Sequence, residues 1–501
     1  MSRIGFCGAS YSSVSQNADA QTCRNFVLEK VESDLGKGPF LLTDREGMFN
    51  FCNVAGDAVR GIFWADVSDP GRCFAVIDSV LYEISTAGVA TPLLGVSNDN
   101  LPVTWALNAT ATQVAVCSGG IIYVITLATT TVAAVPPATF SQGPVAMIEW
   151  CDDFCIALIA NSNIFFNSAP DDLSSWPGAN ANQVSVQVGN IRSIKADGRK
   201  LALLGRSRGI AYYNTGAATT PFSPIPGGDV QSGIGATFSM MLLDNTWFWL
   251  DQDERGAGIF RKFQSGSAIR LSNHAIETHW ASFSRIDDCI GFPYQNNGHS
   301  FAVLYFPTAN ETWAYDVATG LWAERDFWDA GSGTSTAYRA RCHSYAFGKH
   351  LVGDWNSGNI YQLANTVQTD FGNPIRRVRR APYVSVENER IYHASLELEM
   401  DRGVGPIPAL TDGLGNNRGP QVVLRWSDNG GRTWSNEYAR DYGQAGKYGA
   451  RVIWRRLGQS RGRVYEVACT DPTPCRIVDA YLKASGLATQ KRMVKELAEK
   501  A

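Results

Sequence analysis

The chain has 501 residues, 45% of them apolar and only 18% charged, with 48 Gly, 14 Trp, 23 Phe and 18 Tyr. Globular proteins carry about 25% charged residues, so this composition excludes a disordered acidic chain, a coiled coil and a collagen-like fibre. It favours many short strands joined by tight turns. The net charge of −3 conceals an asymmetry, because residues 1–370 sum to −11 and residues 371–501 to +8. Such a split marks either a segment that faces a polyanion or partner, or uneven scatter between two domains.

Met1 to Ser15 holds one Arg and no apolar run, which excludes a secretory signal there. Leu101 to Ile148 is uncharged, but Gly119-Gly120 and Pro136-Pro137 interrupt it and Thr is frequent. It reads as β-structure and not as a membrane span, which needs about 20 continuous apolar residues.

A repeat dominates the middle of the chain. Seven times an apolar strand, a polar or Gly turn and an aromatic-bearing strand follow one another. The units lie near 73–84, 114–125, 154–166, 201–213, 240–250, 301–315 and 350–363. Their aromatic anchors are Tyr82, Tyr123, Phe165, Tyr212, Trp247, Trp313 and Tyr361, at spacings of 41, 42, 47, 35, 66 and 48. A four-stranded propeller blade takes about 40–50 residues. The repeat therefore predicts a β-propeller of six or seven blades, with the long gap holding an insertion or an unread blade. A large array of β-sandwiches has the same strand periodicity and stays open as an alternative. In the sixth unit, Trp313-Ala314-Tyr315-Asp316 through Gly320-Leu321-Trp322 looks kelch-like.

Arg376, Arg377, Arg379 and Arg380 form the most basic run in the chain. They are candidate DNA or partner contacts, or else an exposed linker. Beyond them Ser395–Met400 alternates as a half-buried strand should. Gly403–Pro420 reads as a long loop, and strands are expected near 421–426, 451–455, 463–468 and 476–482. The predicted fold is all-β: an N-terminal arm and propeller-closing segment (1–60), the propeller (61–370), a basic linker (371–382), a smaller β-sandwich-like domain (383–484) and a tail, helical in pattern (485–501).

Chemistry-bearing motifs are few. Ser427, Asn429, Gly431, Thr433 and Trp434 resemble an Asp-box, the S-x-D-x-G-x-T-W hairpin of sialidases and related propellers, with Asn429 in place of its Asp. That motif is structural: its side chains hydrogen-bond turn amides, and the Trp packs back on the hairpin. Asp152-Asp153 and Asp287-Asp288 are adjacent carboxylates, which on a strand point to opposite faces. The six His and eleven Cys make no metal-ligand spacing, and no nucleophile elbow or phosphate loop occurs. No catalytic residue, cofactor or metal is expected, and the cysteines read as free thiols.

Several segments together resemble one family. Asn17-Ala18-Asp19-Ala20-Gln21-Thr22-Cys23-Arg24-Asn25 is similar to the opening of phage stabilisation proteins, the tail-hub or nozzle proteins of short-tailed phages. Ala58-Val59-Arg60-Gly61 resembles the entry to their first repeat, and Trp322–Phe327 is similar too. Leu424–Trp434, Gly446–Gly449, Arg455–Gly458 and Ser460–Val464 add the most specific block. Thr43–Met48 departs from the pattern, which is nearer T-P-G-L there.

The resemblance implies a structural virion protein, made in the host cytoplasm and carried in the tail. It implies a homohexameric ring below a dodecameric portal adaptor, extending the DNA channel and retaining packaged genome. A tail needle or plug, and tail fibres or tailspikes, would be further partners, and no membrane insertion is implied. The competing readings are a sialidase-like or glycan-binding propeller acting on host polysaccharide, and a propeller scaffold for protein partners outside a virus.

Overall fold

The computed structural model describes residues 1–485 apart from 34–35, 68–70, 185–187, 218–219 and 265. The chain forms two compact units: one of Phe49–Thr312 with Ala337–Leu363, the other of Met1–Met48, Trp313–Thr336 and Ala364 onward.

The first unit is the propeller. Five consecutive four-stranded antiparallel meanders begin with inner strands Val59–Ala65, Thr104–Leu107, Val145–Cys151, Ile191–Asp197 and Met241–Leu243. A sixth blade starts with Ile290–Asn296 and His299–Phe306. A seventh comprises Ala340–Ala346, Lys349–Asp354 and Ile360–Ala364, and its outer strand is supplied by Phe49–Cys52. The inner strands neighbour one another in order, and the seventh returns to the first. Among the described residues the ring has seven blades.

Apolar runs, and not alternation, mark the second strand of each blade because both its faces are covered. In Cys73-Phe74-Ala75-Val76-Ile77, the side chains Cys73, Ala75 and Ile77 pack with Leu351 and Ile360 of the seventh blade. Phe74 and Val76 pack with Val114, Val116 and Tyr123 of the second. Ala115 and Cys117 then face Ile148, Cys155 and Phe166 of the third. Each isolated hairpin is marginal, and stacking supplies the core it lacks. The turns have the left-handed residues that tight hairpins need: Asp244 and Asn245 sit at φ +49° and +54° between two paired strands.

The repeat holds, with one change of phase. Six of the seven anchors lie on third strands, but Trp247 lies on the second strand of the fifth blade, Thr246–Gln252. The third strand there is Gly258–Gln264, and its Phe260 is fully buried. The 66-residue gap therefore contains the outer half of the fifth blade, a short helix His274–Trp280 and the inner strand of the sixth, not a further blade.

The second unit is a β-sandwich. One sheet joins Phe26–Lys30, Phe40–Asp44, Ile477–Ala484, Ile391–Met400 and Val452–Arg455 in that order. The other joins Leu321–Asp329, Ala20–Arg24, Arg377–Arg380, Gly462–Cys469, Gln421–Ser427 and Tyr438–Asp441. Leu396, Leu398 and Met400, predicted to face inward, do so, and meet Phe26, Leu424 and Trp454 in one core.

Two expected boundaries change. Residues 1–60 are not a detached arm: Ser2–Arg3, Ala20–Arg24, Phe26–Lys30 and Phe40–Asp44 are sandwich strands, and only Phe49–Cys52 closes the ring. Residues 371–382 are not a linker, because Arg377–Arg380 is an interior strand hydrogen-bonded on both sides. The helical pattern read in the tail, 485–501, lies outside the described residues apart from Ser485.

His393 is enclosed in the sandwich core, its imidazole held between the Tyr465 hydroxyl and Ser460 Oγ at 2.8 Å each. Burial, with Arg463 nearby, pushes its pKa down to about 4. The unfolded chain therefore binds a proton near pH 6.5 that the folded chain refuses until about pH 4. This contribution to stability is present above pH 6.5 and is lost as pH falls. Urea denaturation at pH 7 and pH 5 should show a loss of about 1–2 kcal/mol, and His393→Asn should lose less over the same interval.

Candidate functional site

The basic run is a structural hub. Along the strand Arg377–Arg380, residues 377 and 379 point to one face and Arg376 and Arg380 to the other. Arg377 and Arg379 are fully buried. Arg379 donates from Nε to the Phe6 carbonyl at 2.6 Å, from Nη1 to the Ala9 and Thr22 carbonyls at 3.0 and 3.3 Å, and from Nη2 to Gln21 Oε1 at 2.5 Å. Every acceptor is neutral, and burial lowers its pKa. Arg377 pairs with Asp44 at 2.7 Å. Beside it Arg45 pairs with Asp370 at 2.6 Å, both side chains wholly inaccessible. Arg45 of this second pair, like Asp44 of the first, lies in Thr43–Met48, the segment that departs from the family pattern. Two of the four arginines read as candidate DNA contacts are thus withdrawn into the core. The other two are half-buried: Arg376 lies over the Trp328 ring and Arg380 over the Trp434 ring, each at 4.8 Å.

The Asp-box-like hairpin adopts the geometry its residue types suggest. Ser427 Oγ accepts the Gly431 N–H at 2.8 Å, Asn429 Oδ1 accepts the Thr433 N–H at 2.9 Å, and Asn429 Nδ2 donates to Thr433 Oγ1 at 2.8 Å. Gly430 and Gly431 take φ of +74° and +97°, where a side chain would be strained. Asn429 thus performs the turn-closing role of an Asp without a charge. Trp434 then lies against two guanidiniums, Arg380 at 4.8 Å and Arg425 at 4.7 Å. Both of these ion-pair with buried Glu466. Asp428 instead chelates Arg463, with contacts of 2.6 and 2.8 Å. The hairpin belongs to the sandwich and not to a propeller blade, which removes the observation that motivated the sialidase-like reading.

The adjacent carboxylates sit in turns or loops. Asp152, at φ +56°, accepts Arg199 and Asn214, while Asp287 pairs with Arg285. All eleven cysteines carry free thiols. Burial pushes the Cys151 thiol up to about 12 and Cys155 well above its ordinary value, so neither is a thiolate near neutral pH. Among the described residues no group of three or more His, Cys, Asp or Glu side chains converges to hold a metal ion.

One feature has no signal in strand periodicity. Inner strands of the first, third, fourth and seventh blades each carry a register shift, skipping Arg60, Ala146, Arg192 and Arg341 respectively. A bulge redirects the residue it contains. Arg60 and Arg341 consequently line a cavity of about 780 Å³ at the centre of the ring. Arg60 donates to the Leu101, Asp78 and Ser97 carbonyls and to Ser118 Oγ, and pairs with Asp99. It ties the first blade to the second. The only trace of this in the sequence is the Val59-Arg60-Gly61 triplet: a Cβ on Gly61 would meet Val103 at 2.6 Å.

A propeller and a sandwich in one chain, with their polar residues spent on internal fastening, match a class of phage structural proteins. Residues 8–368 match the family described as Bacteriophage P22 Gp10, beta-propeller, and residues 376–485 match its beta-sandwich. The chain belongs to the phage stabilisation family. No curated protein matches it. Among solved structures it is similar to virginiamycin B lyase from Staphylococcus aureus, at 10% identity and TM-score 0.42, over 64% of this chain and 99% of that one. A streptogramin B lyase gives 10% identity, TM-score 0.42 and coverage of 64% and 97%. A chain of the mitotic checkpoint complex gives 9%, 0.39, and 67% and 96%.

Three substitutions separate the hub from the hairpin. Arg379→Met removes the donors that hold residues 6–22, so limited proteolysis within residues 1–24 should accelerate severalfold while the propeller remains resistant. Glu466→Ala leaves two guanidiniums unpaired beside Trp434 and should cost about 3 kcal/mol in urea denaturation. Trp434→Ala, which removes only partly exposed cation–π contacts and packing, should cost about half of that.

Proposed function

We propose that this protein is the tail nozzle subunit of a short-tailed phage. In this reading copies of the chain form a homohexameric ring below the portal adaptor, extend the DNA channel and help retain the packaged genome. A needle or plug and fibres or tailspikes dock on the ring, and no catalytic role is assigned. The observation that carries the reading is the match of both halves of the chain to one phage structural family.

The physics agrees with a passive load-bearing part. Buried arginines and ion pairs hold each unit together, and the carboxylates and thiols considered above are committed to turns or to the core. The positive excess of the C-terminal region is carried outward not by the Arg376–Arg380 run but by exposed arginines of the sandwich, among them Arg432, Arg440, Arg455, Arg456 and Arg461. These suit a polyanion or an acidic partner.

Electron cryomicroscopy of purified virions tests the proposal. The expected result is a six-fold ring of this chain between the adaptor and the distal tail, continuous with the DNA channel. Absence of the chain from the particle, or a position on the capsid surface, would overturn it.

A further inference from the structure

The cavity at the centre of the propeller is walled by Phe63, Trp105, Trp150, Phe238 and Phe292, with Met147 among them. Few charges reach it, and all but one are compensated. Lys195 pairs with Glu149 at 2.9 Å. Arg60 pairs with Asp99 and has four further acceptors. His343 is kept neutral by burial and by His350, its pKa pushed down to about 3.

Arg341 is the exception. It is 92% buried, being 8% exposed, and its one hydrogen bond runs from Nη2 to the Asn100 carbonyl at 2.6 Å. Among the described residues no carboxylate pairs with it, and its Nε has no acceptor. It lines both the central cavity and the adjoining space of about 800 Å³ that opens beside Asn100, Tyr305 and Trp355. Asp287 at that mouth is engaged by Arg285. Asp288 accepts the Thr308 N–H through one oxygen and leaves the other buried without a partner, and the carboxylate whose charge acts on Arg341 is Asp99, already paired. A second donor in the same wall, the indole N–H of Trp105, is also buried without an acceptor.

A buried cation without a counter-ion is costly, and so is a buried donor without an acceptor. We infer that the central cavity is a binding site for a small organic carboxylate with an apolar or aromatic body, its oxygens accepting from Arg341 and its body lying against the aromatic wall. One uncompensated positive charge selects one negative charge. A phosphate carries more at neutral pH, and the excess would stay unpaired against apolar walls. The volume and the balance of apolar wall to a few polar groups are those of small-molecule sites. The site lies wholly within the propeller and is independent of any role in a virion.

The test uses the full-length chain and three probes of similar or smaller size: benzoate, its neutral isostere benzamide, and inorganic phosphate. Isothermal titration calorimetry should show saturable benzoate binding at millimolar concentration, with at least tenfold weaker binding of benzamide and of phosphate. Arg341→Gln should lower benzoate affinity at least tenfold, and Trp105→Phe severalfold. Equal binding of benzoate and benzamide, equal binding of phosphate, or no benzoate binding at all would overturn the site. Should Arg341→Gln fail to fold by circular dichroism, the discrimination among the three probes by the wild-type chain still decides. Unchanged benzoate affinity in a folded Arg341→Gln variant would overturn it as well.

Discussion

A guanidinium taken out of water must find acceptors for its N–H groups, and the charge it carries is tolerated only where those acceptors surround it. Both units are organised by that requirement. In the sandwich, Arg379 satisfies it with three carbonyls and an amide drawn from residues 6–22, which is why the beginning of the chain lies on a strand more than 350 residues later. In the propeller, Arg60 satisfies it with carbonyls from two loops and a Ser from the second blade. Arginine suits this task where lysine would not, because a planar fork can engage several carbonyls in fixed directions at once. Arg341 leaves the requirement partly unmet, with one carbonyl acceptor and no acceptor at its Nε.

The blades were legible because their signal is local. A second strand covered on both faces must be apolar throughout, and the following turn must admit a left-handed residue, so the unit repeats in sequence as it does in space. The error at Trp247 comes from the same logic. In the fifth blade the second strand, Thr246–Gln252, is itself aromatic, with Trp247, Phe248 and Trp249 all buried, so it imitated a third strand. Only the register of the pairing separates the two.

The rest was hidden for physical reasons of range. Four arginines in five residues look like a solvated, basic linker, and nothing near them in sequence supplies the carbonyls that bury two of them. Those acceptors come from the other end of the chain. Apart from local hairpins such as that of Phe26–Lys30 with Phe40–Asp44, residues 20–44 find their partner strands some 300 residues later or more, so the N-terminal segment could only read as an arm. The inner-strand bulges leave no periodic mark at all, since a bulge adds one residue to a strand without altering the apolar pattern on either side. The Asp-box-like hairpin was the opposite case: Ser427, Asn429 and Thr433 bond within seven residues, and its geometry was readable, whereas its location in the sandwich was not.

Ring closure by Phe49–Cys52 has a consequence for synthesis. The outer strand of the seventh blade leaves the ribosome first, and its partner, Ile360–Ala364, follows roughly 300 residues later. At about 5–20 residues per second, that is a wait of roughly 15–60 s. The same holds for the sandwich, where Ser2–Arg3 pairs with Tyr481 and Leu482. The propeller can close once Ile360–Ala364 has been made, whereas the sandwich waits for Ile477–Ala484. Ser2–Arg3 therefore stays without its partner far longer than Phe49–Cys52 does. Completion of the sandwich is thereby the later of the two events, and the propeller strands are all in place before it.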